Sequence, residues 1–170
     1  DLDTRPQYHE GEMVLRIRGT TTAGESYGEA LRALPEESEA ELFAAFEEIE
    51  ADCERVPPDA PQTAPRAGEW DGVTLEAWTE RRFDTPEAKA AFDAIVRGVY
   101  TAEPADISYL FFLHYARTAG GFDVVDGRSE EKDSHESVVV EVQRIAEAMA
   151  AELGDRVRLD SQVRAVEQDD

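Results

Sequence analysis

Residues 98–121 read GVYTAEPADISYLFFLHYARTAGG, and the fold turns on how this stretch is organised. An apolar helix runs into an acidic elbow at Ala102, Glu103 and Pro104. A second helix follows and closes on a Gly pair. The run from Tyr109 to Tyr115 is apolar nearly all round, the pattern of a helix buried on several sides. Asp106 or Ser108 starts it, and Gly120 is its expected C′ residue.

Working outward, Thr85 and Pro86 form an N-cap and N1 pair. They open a helix that carries Phe92, Ile95, Val96 and Val99 to the elbow. Thr74 caps a short helix with Leu75 and Trp78 on one side. Leu42, Phe43, Phe46, Ile49, Cys53 and Val56 recur at three- and four-residue spacings, which predicts an amphipathic helix from Pro35 onward. Pro57 and Pro58 end it, and a Pro-rich linker leads to Glu69, Trp70 and Asp71.

Towards the N-terminus, MVLRIR at 13–18 alternates as a strand does, and GTTTAGESYG after it is loop-like. Towards the C-terminus, Val124 and Val125 suggest a brief extended segment. Ser134 or Ser137 then caps a long helix with Val138, Val142, Ile145, Met149 and Leu153 inward, stopped by Gly154. Residues 156–159 and 163–166 read as two short strands. The expectation is one α+β domain over 1–170, mainly helical, with about five helices and a small sheet. It divides into an N-terminal strand and loop (1–34), a helical body (35–154) and C-terminal strands (155–170).

With 170 residues the chain is long enough to bury a core of its own. Seventeen basic residues against 39 acidic give a formal charge of −22. Nucleic acid and anionic membrane surfaces need a cationic footprint, so neither is an expected partner. Only Lys89 and Lys132 are lysines; an acid-rich, Lys-poor surface fits a salt-adapted host or a highly soluble design. Cys53 is the single cysteine and excludes an intramolecular disulfide. No apolar run reaches signal or transmembrane length, so a cytoplasmic location is expected.

His9, His114 and His135 share no ligand spacing, so no metal site is expected. His114 reads as a hydrogen-bonded core histidine. The acidic cluster Glu130, Glu131, Asp133, His135 and Glu136 lacks the order of a calcium loop and reads as a solvated charged loop. No Gly-x-Ser-x-Gly elbow occurs. Cys53, on an apolar helix face, reads as packed and inert.

Trp70 to Gly121 and residues 143–168 (QRIAEAMAAELGDRVRLDSQVRAVEQ), with Glu69-Trp70-Asp71, resemble the substrate-domain segment of the flavin-containing monoamine oxidases. That family oxidises amines on a bound FAD. The resemblance implies an amine-binding cavity lined at Ile95, Gly98, Val99, Leu110, Val124 and Val125, although an ordinary helical core would also hold such residues. It implies that Val163 lies near the adenine end of the cofactor when a FAD-binding domain is supplied. Gln62 stands where relatives often place Trp, and the family's pocket Gln has no secure match.

The dinucleotide fingerprint, Gly-x-Gly-x-x-Gly with an acid ~20 residues on, is absent from all 170 residues. Val140 and Glu141 replace a glycine pair that the family places close to the flavin, and glycine is the residue that tolerates close approach. The expectation is therefore no cofactor in the isolated chain and a helix extended backwards through this region. Three readings stay open. The chain is a substrate-binding domain inactive alone, a subunit of a split oxidase, or an engineered or repurposed soluble helical scaffold. The partners that the resemblance implies are a small apolar amine and the FAD-binding domain, and unpaired C-terminal strands would also permit a homodimer.

Overall fold

The structure, a computed structural model, describes residues 4–6, 11–127, 136–138 and 142–168. Its strands are β1 (Thr4–Pro6), β2 (Met13–Ile17), β3 (Thr20–Gly24) and β4 (Glu136–Val138). Its α-helices are α1 (Tyr27–Arg32), α2 (Glu36–Cys53), α3 (Ala67–Asp71), α4 (Leu75–Arg82), α5 (Pro86–Tyr100), α6 (Tyr109–Thr118), α7 (Phe122–Val125) and α8 (Gln143–Leu153). The α+β, mainly helical class expected from sequence is the one observed, with short helices added. The residues form two compact units, Asp1–Tyr8 with His135–Asp170, and His9–Ser134.

In the larger unit, β2 and β3 make an antiparallel hairpin with Ile17 opposite Thr20. The alternation in the sequence predicts only the first strand. The two-residue turn, Arg18-Gly19, takes positive φ at both positions (48° and 92°), the backbone that matches the twist of a tight hairpin. The pattern of TTTAG is weakly apolar, which hides it. Gly24 ends the hairpin against α1, where an added Cβ would sit 2.6 Å from Glu29 Cβ and 2.8 Å from Ala30 N. Gly24→Val is therefore expected to lower stability by about 1–3 kcal/mol through overpacking, checked by a denaturant midpoint. Ser26 starts α1 by accepting the Glu29 amide, and Glu29 accepts the Glu25 amide in return.

Helix α2 buries Leu42, Phe46, Ile49 and Cys53, as the spacing predicts. Burial of such side chains stabilises by roughly 1.5–3 kcal/mol each before entropy. Against it pack α5, α6 and α7. Pro86 opens α5 as expected, but Thr85 makes no cap bond. Its hydroxyl and amide both donate to Glu41 Oε2, at 2.8 and 3.0 Å, which ties the start of α5 to α2.

The elbow after α5 bends at Thr101, a left-handed residue with φ 50°. It is held by the α3–α4 connection: Leu75 N donates to Ile107 O, Glu76 N to Pro104 O, and Tyr109 N to Val73 O, all at 2.9–3.0 Å. Ser108 caps α6 by accepting the Phe111 amide, and its hydroxyl donates to Asp71 Oδ1 at 2.9 Å. At the far end Gly121 N donates to Ala116 O and Gly120 N to Arg117 O, the paired bonds of a helix closed by a left-handed glycine.

Four expectations are corrected. Val124 and Val125 lie in helix α7, not in an extended segment. The helix expected from Ser134 or Ser137 begins only at Gln143, and Val138 belongs to β4, which pairs with β1; residues 139–141 lie outside the described set. Its stripe Val142, Ile145, Met149 and Leu153 is exposed, and no residue of α8 is buried. The two C-terminal strands are absent among the described residues. Gly154–Arg156 is a 3-10 turn and 157–168 is irregular, because two short segments with no partner ladder have nothing to satisfy their backbone.

Candidate functional site

The residues expected to line an apolar cavity fall mainly on α5, α6 and α7. On α5, Ile95 is buried in the core and Val99, one turn on, is partly buried against it. Leu110, in the first turn of α6, belongs to the same core, and Val125 of α7 packs on it. These four residues are brought into one cluster. Gly98 is exposed, with open space where a Cβ would stand. Val124 is half-buried beside Gly120 and lies outside that cluster. Val163 sits on irregular backbone in the smaller unit, 75% exposed.

Aromatic rings pack in the same core. Phe92 lies 5.5–6.3 Å from the rings of Phe83, Trp78, Phe112 and Phe122. Tyr100 packs on Phe112 and Tyr115 and donates its hydroxyl to Phe112 O at 3.1 Å. The outer face of α6 is not covered: Phe111 is 50% exposed and Tyr115 42%. A helix apolar all round is thus buried on one side and open on the other.

The turn that sets α7 is held from α2. Asp123 N donates to Glu50 Oε1 at 2.6 Å, and Val124 N to Asp123 Oδ1 at 2.8 Å. Gly121 has φ 139°, and a Cβ there would press on Asp123 Oδ1 at 2.8 Å, so a side chain is excluded on both counts.

Polar groups inside the core are few and specific. Asp52 is buried; it accepts the Tyr109 hydroxyl at 3.2 Å and pairs with Arg55 at 2.9 Å. Tyr109 stacks on Trp78 at 4.9 Å. Loss of hydration raises the Asp52 carboxyl above the usual carboxylate value, and the Tyr109 bond and the Arg55 charge only partly oppose this. A raised folded value means that the linked stability is present below the unfolded value of about 3.9 and is lost as pH rises through the folded one. Asp52→Asn, which keeps an acceptor for Tyr109, is therefore expected to stabilise the chain near pH 7 and to remove the acid-side gain. Asp52→Ala leaves the hydroxyl unpaired and is expected to cost about 1–3 kcal/mol. Unfolding midpoints of both variants at pH 4 and 7 decide it.

Cys53 is buried, its Sγ 3.6 Å from Leu113 O. Burial and then the nearby Glu50 and Asp52 push the thiol up to about 12, which leaves it protonated and unreactive at neutral pH. His114 is half-buried rather than deep in the core, and its Nε2 lies 2.8 Å from Pro58 O. Asp93 Oδ1 and Arg117 Nε are buried without a partner among the described residues, a feature with no sequence signal. Among those residues no three His, Cys, Asp or Glu side chains converge as a metal site. His9, His135 and the loop acids up to Asp133 lie outside them. No helix of the described residues is long and apolar enough to cross a membrane.

No family model matches the chain. A probable flavin-containing monoamine oxidase A of Dictyostelium discoideum is 30% identical over 170 residues, 96% of this chain and 36% of that protein. A putative flavin-containing monoamine oxidase of Mycobacterium tuberculosis, AofH, is also 30% identical, over 98% of this chain and 36% of its own length. Among solved structures, a triple mutant of putrescine oxidase redesigned in its cofactor binding superposes with a TM-score of 0.78 at 26% identity, over 96% of this chain and 36% of that one. The chain therefore spans little more than a third of the length of these relatives.

Proposed function

The chain is homologous along nearly its whole length to a segment of the flavin-containing monoamine oxidases, and from this we propose that it supplies the substrate-side wall of an FAD-dependent amine oxidase. The observation that carries the reading is the match over 96% of the chain at a TM-score of 0.78 to an oxidase named for an amine. On this reading Val99 and Val125, which are only partly buried, offer the apolar surface against which an amine's hydrocarbon part is held, Ile95 and Leu110 pack in the core behind them, and Gly98 and Val124 stand at the edge.

FAD supplies the electron acceptor in such an enzyme. The sequence has no Gly-x-Gly-x-x-Gly motif, and Val163, the one residue that the resemblance sets near the cofactor, is a single exposed side chain. The cofactor would be held by polypeptide beyond these residues, and the chain by itself would oxidise no amine. Close packing at the wall discriminates between substrates because one methylene in an apolar pocket is worth about 1–3 kcal/mol.

The test is a graft in which this chain replaces the matched segment of the Dictyostelium relative. Val99→Phe and Val125→Phe in the graft are expected to raise KM for bulky amines by about tenfold or more, with flavin absorbance unchanged. Kinetics indifferent to both substitutions would overturn the assignment of the wall. A flavin band that purifies with the isolated chain would overturn the division of labour.

A further inference from the structure

Trp78 of α4 and Tyr109 of α6 lie face to face, their ring centroids 4.9 Å apart and their planes within 13° of parallel. Trp70 of α3 meets the same tyrosine edge-on at 6.2 Å. Indole and phenol are the aromatic side chains that give up an electron, and here they are in ring contact. Tyr109 is fully buried, and its hydroxyl donates to Asp52 Oδ2 at 3.2 Å. The other oxygen, Asp52 Oδ1, accepts from Arg55 at 2.9 Å, so the group is held as a carboxylate.

A base at hydrogen-bond distance is the geometry that proton transfer requires. Burial raises the Asp52 carboxyl, the Tyr109 bond, Arg55 and Arg66 oppose this in part, and Glu48 adds to it. Asp52 is thereby a stronger base than a solvated carboxylate. Burial and then the Asp52 charge raise the phenol as well. The proton therefore stays on Tyr109 until its ring loses an electron, when the phenol becomes a strong acid facing an acceptor already in place. Tyr100 supplies the contrast. Its ring lies 5.1 Å from that of Phe112 and its hydroxyl is also bonded, but to the carbonyl oxygen of Phe112, an amide oxygen that takes no proton at neutral pH.

We propose that Tyr109 and Asp52 form a proton-coupled one-electron redox site, with Trp78 as its entry and a diffusible one-electron oxidant as its substrate class. Trp78 is only partly buried and meets the oxidant first. The oxidant takes one electron from the indole and is reduced. The indole radical cation then takes one electron from Tyr109, whose phenolic proton passes to Asp52 Oδ2. The products are a restored Trp78, a neutral tyrosyl radical and a protonated Asp52; one electron has left the protein and the proton has stayed. The oxidising equivalent comes to rest inside the core, and the indole is spared attack by oxygen. Neither an amine nor a flavin takes part.

Flash photolysis of the 170-residue chain with a light-generated ruthenium(III) polypyridyl complex as the oxidant tests this. The expected result is an indole radical cation absorption that gives way to that of a tyrosyl radical, more slowly in heavy water than in light. Asp52→Asn keeps an oxygen for the hydroxyl but offers no base, and is expected to slow this exchange by about tenfold or more. Tyr109→Phe should abolish it and raise the yield of oxygenated Trp78 on prolonged illumination, read by mass spectrometry. Tyr100→Phe should leave the exchange unchanged, and so should Tyr115→Phe, which removes a surface ring that is 42% exposed. Helical circular dichroism checks that each variant is folded, and the heavy-water comparison needs no variant. An indole radical that decays equally fast in the wild type and in Tyr109→Phe would overturn the site. Equal rates in the two waters, or in the wild type and Asp52→Asn, would overturn it by removing Asp52 as the proton acceptor. A tyrosyl signal lost with Tyr115→Phe would place the oxidation at the surface and overturn it too.

Discussion

Phe92→Ala is expected to cost about 3–5 kcal/mol, a large share of the whole stability of a domain this size. Phe92 is fully buried on α5 and its ring touches Trp78, Phe83, Phe112 and Phe122. It ties α5 to the end of α4, to α6 and to α7. Collapse cannot fill the void, because those neighbours are themselves held by the α3–α4 connection and by α2. Urea unfolding followed by the fluorescence of Trp78, whose ring centroid is 5.7 Å from that of Phe92, reads the effect directly. A cost below about 1 kcal/mol would mean that the aromatic cluster repacks freely.

Alkali is expected to unfold the chain over a narrow range. Burial raises Tyr27 to about 12, with the Asp126 charge adding to it, and raises Cys53 to about 12. Tyr100 and Tyr109 are raised further, chiefly by burial and then by neighbouring thiol or carboxylate groups. All four bind their protons more tightly folded than unfolded. The linked stability is thus present in full below the unfolded values near 9 to 10 and is lost as pH rises through the folded ones. Each group removes about 1.4 kcal/mol per pH unit in that window, so four together exhaust a stability of about 5–15 kcal/mol within a few pH units. Of the five tyrosines, phenolate absorbance equivalent to three should appear together with the loss of helical circular dichroism. Phenolate absorbance equivalent to all five before unfolding would contradict the burial of Tyr27, Tyr100 and Tyr109.

The long periodic segments were legible in the sequence and the short or partner-dependent ones were not. Leu42, Phe46, Ile49 and Cys53 announce α2 because an apolar stripe at helical spacing has one structural solution. Ser108 and Gly120 mark the ends of α6 through the hydrogen bonds that they complete. The β3 strand escaped notice since TTTAG has little apolar alternation, and its pairing depends on a turn at Arg18-Gly19. The spacing of Val142, Ile145, Met149 and Leu153 marks a helix, but their exposure does not follow from it, because periodicity reports a face and not what covers it. Of the candidate residues, Ile95, Val99, Leu110 and Val125 belong to or pack on the hydrophobic core as their apolar character suggests, whereas nothing in its residue type sets Val124 apart from Val125.

The Glu50–Asp123 bond gives the wall a remote adjustment. Residue 50 belongs to α2 and contributes nothing to the apolar surface, yet its carboxylate fixes the first turn of the short helix that presents Val124 and Val125. Changing the length or charge of this one side chain would tilt that helix without altering any residue on its exposed face. The packing of Val124 and Val125 is thereby tied to a side chain on another helix, seventy-odd positions earlier in the sequence.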